Sequence, residues 1–527
     1  MDHVENAMDH VSPWATAPKL PSTHYVDNRI YTDPVIFEEE REKILAATWR
    51  LVCHESELPE PGDYRAKEIA GVPVVILRSE DRSIMAFFNV CPHRGARLVR
   101  DERGNAKKGL QCLYHLWTFA LDGKCTSITR SKGYDGCSLK KDDVGLRSVR
   151  TEIFCGMVFV CLKDDVPPLE QFLGGMADHM KTHLGQEELE VFHYHRAIIN
   201  TNWKLFVDNN SELYHEFLHV LNRRTAVAHK SYHERNWLLY QNSHNIIQQG
   251  VIHYDSYGLG ERSEGALPGM QPNGMVVMLL FPDVMLNIRA TVMRIDTMTP
   301  LAPGKTLVEW RGVGLKSDTP DVRAMRIQHH NEVWGPAGRN LPEDIAAVET
   351  QWETMVQGGS RYSLFAREEG LKPQDDANLR AFYQEWGRCL GRAPNDPFRH
   401  GNVDTDVSHS IASQLFEREA IRELIARVGR LLDTKDFAAV IASFAEPGSY
   451  VLRAYSPEIG KEMIWMSVKR AELLRLLKES AEHVHDLADR THQITVDQIS
   501  LEKGEALARS TFSVFRTDMK GQSDLFA

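Results

Sequence analysis

The chain has 527 residues, 42% of them apolar, and carries a net charge of -11 with 23 histidines and eight cysteines. That length and apolar share allow a large buried core and about three domains. The acidic balance and the lack of a dense Lys/Arg run exclude a nucleic-acid-binding role.

The first residues, MDHVENAMDHVSPWATAPKLP, place acids and prolines where a secretory leader has basic and then apolar residues. No later run reaches the roughly 18 apolar residues of a membrane span. A cytoplasmic protein is expected, in which thiols stay reduced and cysteines at metal spacing read as ligands.

From Tyr31 the acidic segment PVIFEEEREKILAATW repeats apolar residues at helical spacing. Two strands follow, Gly71 to Ser79 and Ile84 to Val90, separated by a hairpin-like EDRS break. The second runs into Cys91-Pro92-His93-Arg94-Gly95, and after 18 residues beyond His93 comes Cys112-Leu113-Tyr114-His115. Two thiolates and two imidazoles suit either zinc or a Rieske [2Fe-2S] cluster. Zinc sites typically group cysteines in one pair and histidines in the other. Here each loop offers one of each, so each loop reaches both irons, and the order favours the cluster. Trp117 and Gly123 fit a loop packed tightly around it. Cys125, Cys137, Cys155 and Cys161 lack a histidine at ligand spacing and read as packing residues; Cys53 and Cys389 are singletons.

These loops resemble the Rieske domain of ring-hydroxylating oxygenase α subunits. The gap between them is slightly longer than usual there, with GNAK, Gly104 to Lys107, as the tip of the added loop.

After Asp165-Val166-Pro167-Pro168 the chain turns helical. His179 and His183 are four apart but lack an acidic frame, so a solvated helix face is expected, while His193 and His195 alternate as on a sheet face. Asn202 to His219 differs. It reads as one helix with His215 and His219 on the same side and Asp208, Asn209, Glu212 and Glu216 nearby. A non-haem iron centre with open positions needs one carboxylate more. Trp334 to Gln351 offers Glu343, Asp344 and Glu349, where Pro342 opens a helix and the first-turn acids are also explained by the helix terminus. In the strand-rich run between, Arg289 alternates with apolar neighbours. A salt-bridged surface arginine is the commoner case, and an inward one could anchor an anionic substrate.

The resemblance extends from about Tyr31 to Pro397. EVFHYHRAIINTNWKLFVDNNSELYHEFLHVLNR, RGVGLKSDTP, HHNEVWGPAGRNLPEDI and FYQEWGRCLGR are similar to the methanesulfonate monooxygenase α-subunit branch of the family. It implies an α+β chain: an all-β Rieske domain (45–165) inserted in a helix-grip-type antiparallel-sheet catalytic domain (1–44 and 166–400). It further implies a [2Fe-2S] cluster on Cys91, His93, Cys112 and His115, and mononuclear Fe(II) on His215, His219 and Asp344. Glu212 matches the acid that bridges to the neighbouring subunit's cluster, an aspartate in most of the family, with Asp208 and Asn209 in the same catalytic frame. The implied function is a terminal oxygenase, a head-to-tail homotrimer that takes O2 and electrons from NAD(P)H through a reductase or ferredoxin. The expected substrate is a small organic anion, an alkanesulfonate first and an aromatic carboxylate second. A Rieske electron-transfer protein is the non-enzyme rival.

Past a polar linker (401–410) composition shifts. An amphipathic helix over 411–432 precedes FAAVIASFAEPGSYVL, a helix leading into a strand, and a hairpin of QITVDQISL and EALARSTFSVFRT joined by EKG. This part (411–527) resembles the small β subunit of the same oxygenases, a cone-shaped NTF2/cystatin-like α+β domain, and the resemblance implies one further strand beyond Ala527. His483, His485 and His492 read as structural.

Overall fold

The computed structural model describes residues 16–212, 214–220, 236–251, 266–270, 274–335, 338, 340–365, 376–398, 421, 424–444, 449–456, 461–481, 489–502, 505–517 and 523–525. The expected linker, most of the first half of the 411–432 helix, and His483 and His485 lie outside them. The chain divides into two units, Met1–Gly401 and Asn402–Ala527. Among the described residues no helix is long and apolar enough to cross a membrane.

The first unit holds two seven-stranded sheets. One runs Arg50–His54, Met157–Cys161, Ser148–Phe154, Ile84–Phe88, Val72–Arg78, Asp63–Ile69 and Arg103–Asn105. The apolar run Val74-Val75-Ile76-Leu77 is buried on both faces. Val74 and Ile76 pack with Val52, Val158 and Val160, whereas Val75 and Leu77 pack with Cys91, Cys112 and Trp117. GNAK is not a loop tip. Gly104 and Asn105 form an edge strand opposite Tyr64 and Asp63, and a Cβ at Gly104 would stand 2.6 Å from the Tyr64 hydroxyl. That contact explains the glycine.

The other sheet is antiparallel throughout, in the order Leu189–Ile199, Lys305–Leu315, Val292–Ala302, Val284–Arg289, Gly274–Leu280, Asn245–Val251 and Asn236–Leu239. Alternation sorts its side chains. Val277, Leu279 and Met285 join Trp203, Phe206 and Trp386 of the helices on one face. Val276, Met278 and Leu286 join Met176 and Met180 on the other, together with Leu51, Met157 and Phe159 of the first sheet. The two sheets therefore share a core, and buried ion pairs cross between them: Arg50 with Asp283, Lys67 with Glu309, and Arg311 with Glu57 at 2.7 Å. Removing one partner of such a pair costs about 3–5 kcal/mol, so the junction is strongly specified.

The acidic N-terminal segment is α-helical over Pro34–Glu40, where Asp33 caps the N–H groups of Val35 and Ile36, and continues as a π-helical turn over Arg41–Leu45. The second unit contains helical residues 424–433, the helices Phe437–Ala442 and Arg470–Ala481, a hairpin of Ser449–Ser456 with Lys461–Lys469, and a longer one of Asp489–Glu502 with Glu505–Thr517. Ser523–Leu525 pairs with the last of these. His492 lies within a paired strand. The α+β class holds for both units.

Candidate active site

The two cysteine-bearing loops are built alike. The carbonyl of Cys91 accepts the Gly95 N–H and its own N–H reaches the Ala96 carbonyl, while Cys112 repeats the pattern with Leu116 and Trp117. The fourth step of each loop is left-handed, φ 76° at Gly95 and 59° at Leu116, which curls each loop so that its cysteine and histidine face one space. Both cysteines are buried. Burial raises the Cys91 thiol above its ordinary pKa, backbone N–H donation from His93 lowers it, and the adjacent Cys112 thiol raises it again. The His93 and His115 rings lie 4.5 Å apart, with His93 stacked on Trp117 at 4.6 Å. His93 Nε2 meets the Tyr134 hydroxyl at 3.2 Å, and His115 Nδ1 is buried with no hydrogen-bond partner. Two buried thiols and an orphaned imidazole nitrogen are the donors required by a [2Fe-2S] cluster that takes a cysteine pair on one iron and a histidine pair on the other.

The stretch Asn202 to His219 is not one helix. The helix Trp203–Ser211, capped by Asn202, stops at Glu212 in extended backbone, φ -106° and ψ 155°, and a 3-10 turn occupies Tyr214–Phe217. Two hydrogen bonds set the break: the Asn378 side chain donates to the Ser211 carbonyl, and the Glu212 carboxylate accepts the His215 N–H at 3.0 Å. His215 and His219 still converge. Each Nε2 lies 3.4 Å from Asp344 Oδ1, and Asp344 sits in the first turn of Leu341–Val356, as anticipated.

Carboxylates hold the outer nitrogens. His215 Nδ1 meets Glu212 Oε1 at 2.7 Å, and His219 Nδ1 meets Glu343 Oε2 at 2.8 Å. This fixes the tautomers with Nε2 free to bind metal. Burial lowers the His215 pKa, but Glu212 and Asp344 more than reverse this and raise it well above the usual imidazole value. The pocket is thus built to hold positive charge at this point, as two imidazoles and one carboxylate around Fe(II) demand.

The geometry separates the three acids that the residues alone leave open. Asp344 faces both imidazoles, Glu343 orients His219, and Glu349 lies elsewhere, binding the Asn200 N–H at 2.8 Å. The role of Glu343 was not read from sequence, because an acid in a first helical turn has a sufficient explanation there. Asn209 reaches Asp344 Oδ1 at 3.4 Å. Asp208 stands apart from the triad, accepting hydrogen bonds at 2.8 Å from the hydroxyls of Tyr31 and Tyr383.

Arg289 lies in the strand Val284–Arg289 on the face that Asn287 shares, and both line the cavity in front of His215, His219 and Asp344. Arg294 and Trp334 line it too. Arg294 is paired with Asp296 at 2.7 Å and donates to Asn210 at 3.0 Å, and Arg289 lies over the Trp334 ring, 5.7 Å from its centroid.

Other expectations need amendment. His179 is half-buried and bonded to the Tyr240 hydroxyl at 2.6 Å, so it is not on a solvated face. Cys125 and Cys161 are buried, but Cys137 is exposed and plays no part in a core. Its neighbours in the 3-10 turn Ser131–Tyr134 include no buried residue against which it could pack.

Family profiles match three parts of the chain: the Rieske [2Fe-2S] domain at residues 48–143, the ring-hydroxylating α-subunit catalytic domain at 186–392, and a SnoaL-like domain at 413–526. The 2-aminobenzenesulfonate 2,3-dioxygenase α subunit of Alcaligenes sp. is 43% identical over 71% of this chain and 96% of its own length. The methanesulfonate monooxygenase hydroxylase α subunit of Methylosulfonomonas methylovora is 40% identical over 73% of this chain and 95% of its own. Among solved structures, naphthalene 1,2-dioxygenase from Rhodococcus sp. shares the fold with a TM-score of 0.62 at 21% identity, covering 69% of this chain and 94% of that one. A quaternary ammonium Rieske monooxygenase shares it at 0.59 and 23%, covering 71% and 99%.

Proposed function

This chain belongs to the Rieske non-haem iron oxygenases, and from that premise we propose that it is the terminal oxygenase component of a multicomponent enzyme that hydroxylates an organic sulfonate. A pure electron-carrier role is set aside, because the chain contains the catalytic domain of the family as well as the Rieske domain. When bound, the cluster supplies single electrons and the mononuclear iron supplies the chemistry that activates O2.

Cys91, His93, Cys112 and His115 are assigned to the cluster, and His215, His219 and Asp344 to the iron. Glu212 and Glu343 hold the imidazoles in the tautomer that presents Nε2, and Trp334 walls the cavity. The observation that carries the substrate class is Arg289, placed with Asn287 on the sheet face opposite the triad. A guanidinium there orients a sulfonate by charge-assisted hydrogen bonds and leaves the carbon next to sulfur toward the metal. Both relatives above are named for sulfonate substrates, which supports this reading over a carboxylate. A short alkanesulfonate is the first choice; the aromatic wall of Trp334 favours an aminobenzenesulfonate as the second.

Electron delivery is assigned to a reductase or ferredoxin partner, and the transfer to a neighbouring subunit in a head-to-tail homotrimer. Leu113, Tyr114 and Leu116 are exposed around His115, and Tyr214, Phe217 and Leu218 around His215. Two different apolar patches, one at each centre, suit a heterologous contact that closes into a ring. In that ring Glu212 stands between His215 and the neighbour's cluster.

The test is reconstitution with a reductase, NADH and labelled oxygen over a panel of alkanesulfonates, aminobenzenesulfonates and aromatic carboxylates. Oxygen-dependent sulfite release or labelled hydroxylated product from a sulfonate is expected. Turnover of carboxylates alone rejects the substrate class.

A further inference from the structure

The strand Leu189–Ile199 and the helix Pro320–Trp334 bring together three imidazoles that the oxygenase site does not use. His193 and His195, two apart on the strand, point to the same face of the sheet, and His330 meets them from the helix. One ring nitrogen from each lies within 4.8 Å of the others. The His193 ring is 4.5 Å from that of His330 and 5.3 Å from that of His195.

Their hydrogen bonding is incomplete in a particular way. Nδ1 of all three rings, and Nε2 of His195 and His330, are buried without a hydrogen-bond partner. Buried polar atoms are ordinarily paired; here each of the three rings carries at least one orphaned nitrogen, and one nitrogen from each ring comes within reach of a single ion. The backbone makes room for it. Gly312 lies opposite His193 in the adjacent strand, and a Cβ there would stand 3.0 Å from His193 Cβ and from His330 Cε1 and Nδ1. His195 is held in place by stacking on Trp310, 4.7 Å between ring centroids and 15° between planes.

We propose that His193, His195 and His330 form a second metal site, distinct from the His215, His219 and Asp344 triad, that takes a divalent transition ion of the zinc class. Three neutral imidazoles suit zinc and its neighbours, and a three-histidine set leaves one coordination position open. The fold gives the ion a role. Leu189–Ile199 is the edge strand of the catalytic sheet, and His330 lies four residues before Trp334 on one helix, 6.0 Å between rings. An ion here ties the edge strand to the helix whose last residue walls the oxygenase cavity.

The full-length holoprotein, its mononuclear site first filled with Fe(II) under anaerobic conditions, is loaded with Zn2+ and desalted. Elemental analysis is expected to find about one zinc per chain with no loss of iron, and zinc-edge X-ray absorption three imidazole nitrogens at about 2.0–2.1 Å. His330→Ala and the double variant His193→Ala/His195→Ala should each lose that zinc while keeping the visible absorbance of the cluster and the iron content. Zinc that stays in the variants, zinc that enters only in exchange for iron, or wild-type protein that binds none overturns the proposal. If a variant loses the cluster colour, the absorption spectrum of the wild-type zinc site decides alone: sulfur ligation, or fewer than three imidazoles, overturns it.

Discussion

Glu212 grips His215 twice, with Oε1 2.7 Å from the ring Nδ1 and Oε2 accepting the backbone N–H at 3.0 Å. The first contact sets the tautomer and the second starts the turn that carries the histidine. Glu212→Gln keeps the length and removes the charge. Partners of this kind are worth about 10–100-fold in activity or affinity. We expect turnover to fall by that order, with slowed reoxidation of the reduced cluster in stopped-flow, while iron content and the cluster spectrum stay at wild-type levels. Unchanged reoxidation with lost iron would show that Glu212 only orients the ligand.

Arg289 is expected to act on substrate binding and not on the metals. A hydrogen bond to a charged group contributes about 1.5–3 kcal/mol, so Arg289→Met should raise KM for an anionic substrate roughly 10–150-fold. Iron content should not move. Steady-state oxygen uptake separates the outcomes: a fall in kcat at constant KM would remove Arg289 from substrate recognition.

The cluster loops were legible because the order Cys-His then Cys-His is itself in the chain, and the apolar run within Gly71 to Ser79 marked a strand, although that it is buried on both faces came only from the structure. Asp344 needed the family motif, since helix-terminus electrostatics explains Glu343 and Asp344 equally well. The break at Glu212 was hidden, because it is imposed by Asn378 from a distant helix while the local pattern still reads as helical. The grouping of His330 with His193 and His195 was equally invisible: it depends on sheet order and on the missing side chain of Gly312, neither of which has a local periodicity. GNAK misled for a related reason, as an edge strand this short carries too few residues to show alternation.

Glu40 is fully buried and accepts the indole N–H groups of Trp203 at 2.9 Å and Trp386 at 2.6 Å, with the Lys204 ammonium at 2.7 Å. It joins three helices at one point. Burial lowers the Lys204 pKa and the Glu40 carboxylate counters it. Glu40→Gln leaves that ammonium unpaired in the core and should cost about 3–5 kcal/mol, most of it recovered in the double variant Glu40→Gln/Lys204→Met. Urea denaturation followed by tryptophan fluorescence measures both. A single-variant loss below about 1 kcal/mol would mean that water reaches the pair.

Asp208 supplies a pH dependence whose sign is fixed by its surroundings. Burial pushes its carboxyl up to about 7, although the hydroxyls of Tyr383 and Tyr31 and the charge of Lys204 oppose the rise. In the unfolded chain an aspartate titrates near about 3.9. Between those values the folded protein holds the proton that the unfolded chain has released, so stability falls as pH rises, by at most about 1.4 kcal/mol per pH unit from this group. Below about pH 4 the proton is bound in both states and the contribution is constant. Asp208→Asn removes the titration and keeps an oxygen to accept one tyrosine hydroxyl. The stability of the variant relative to wild type should therefore increase steadily from about pH 5 to about pH 7 and level off above it. A difference that stays flat over that range, in the same urea measurement, would show that Asp208 is ionised throughout and that the two tyrosines, with Lys204, outweigh its burial.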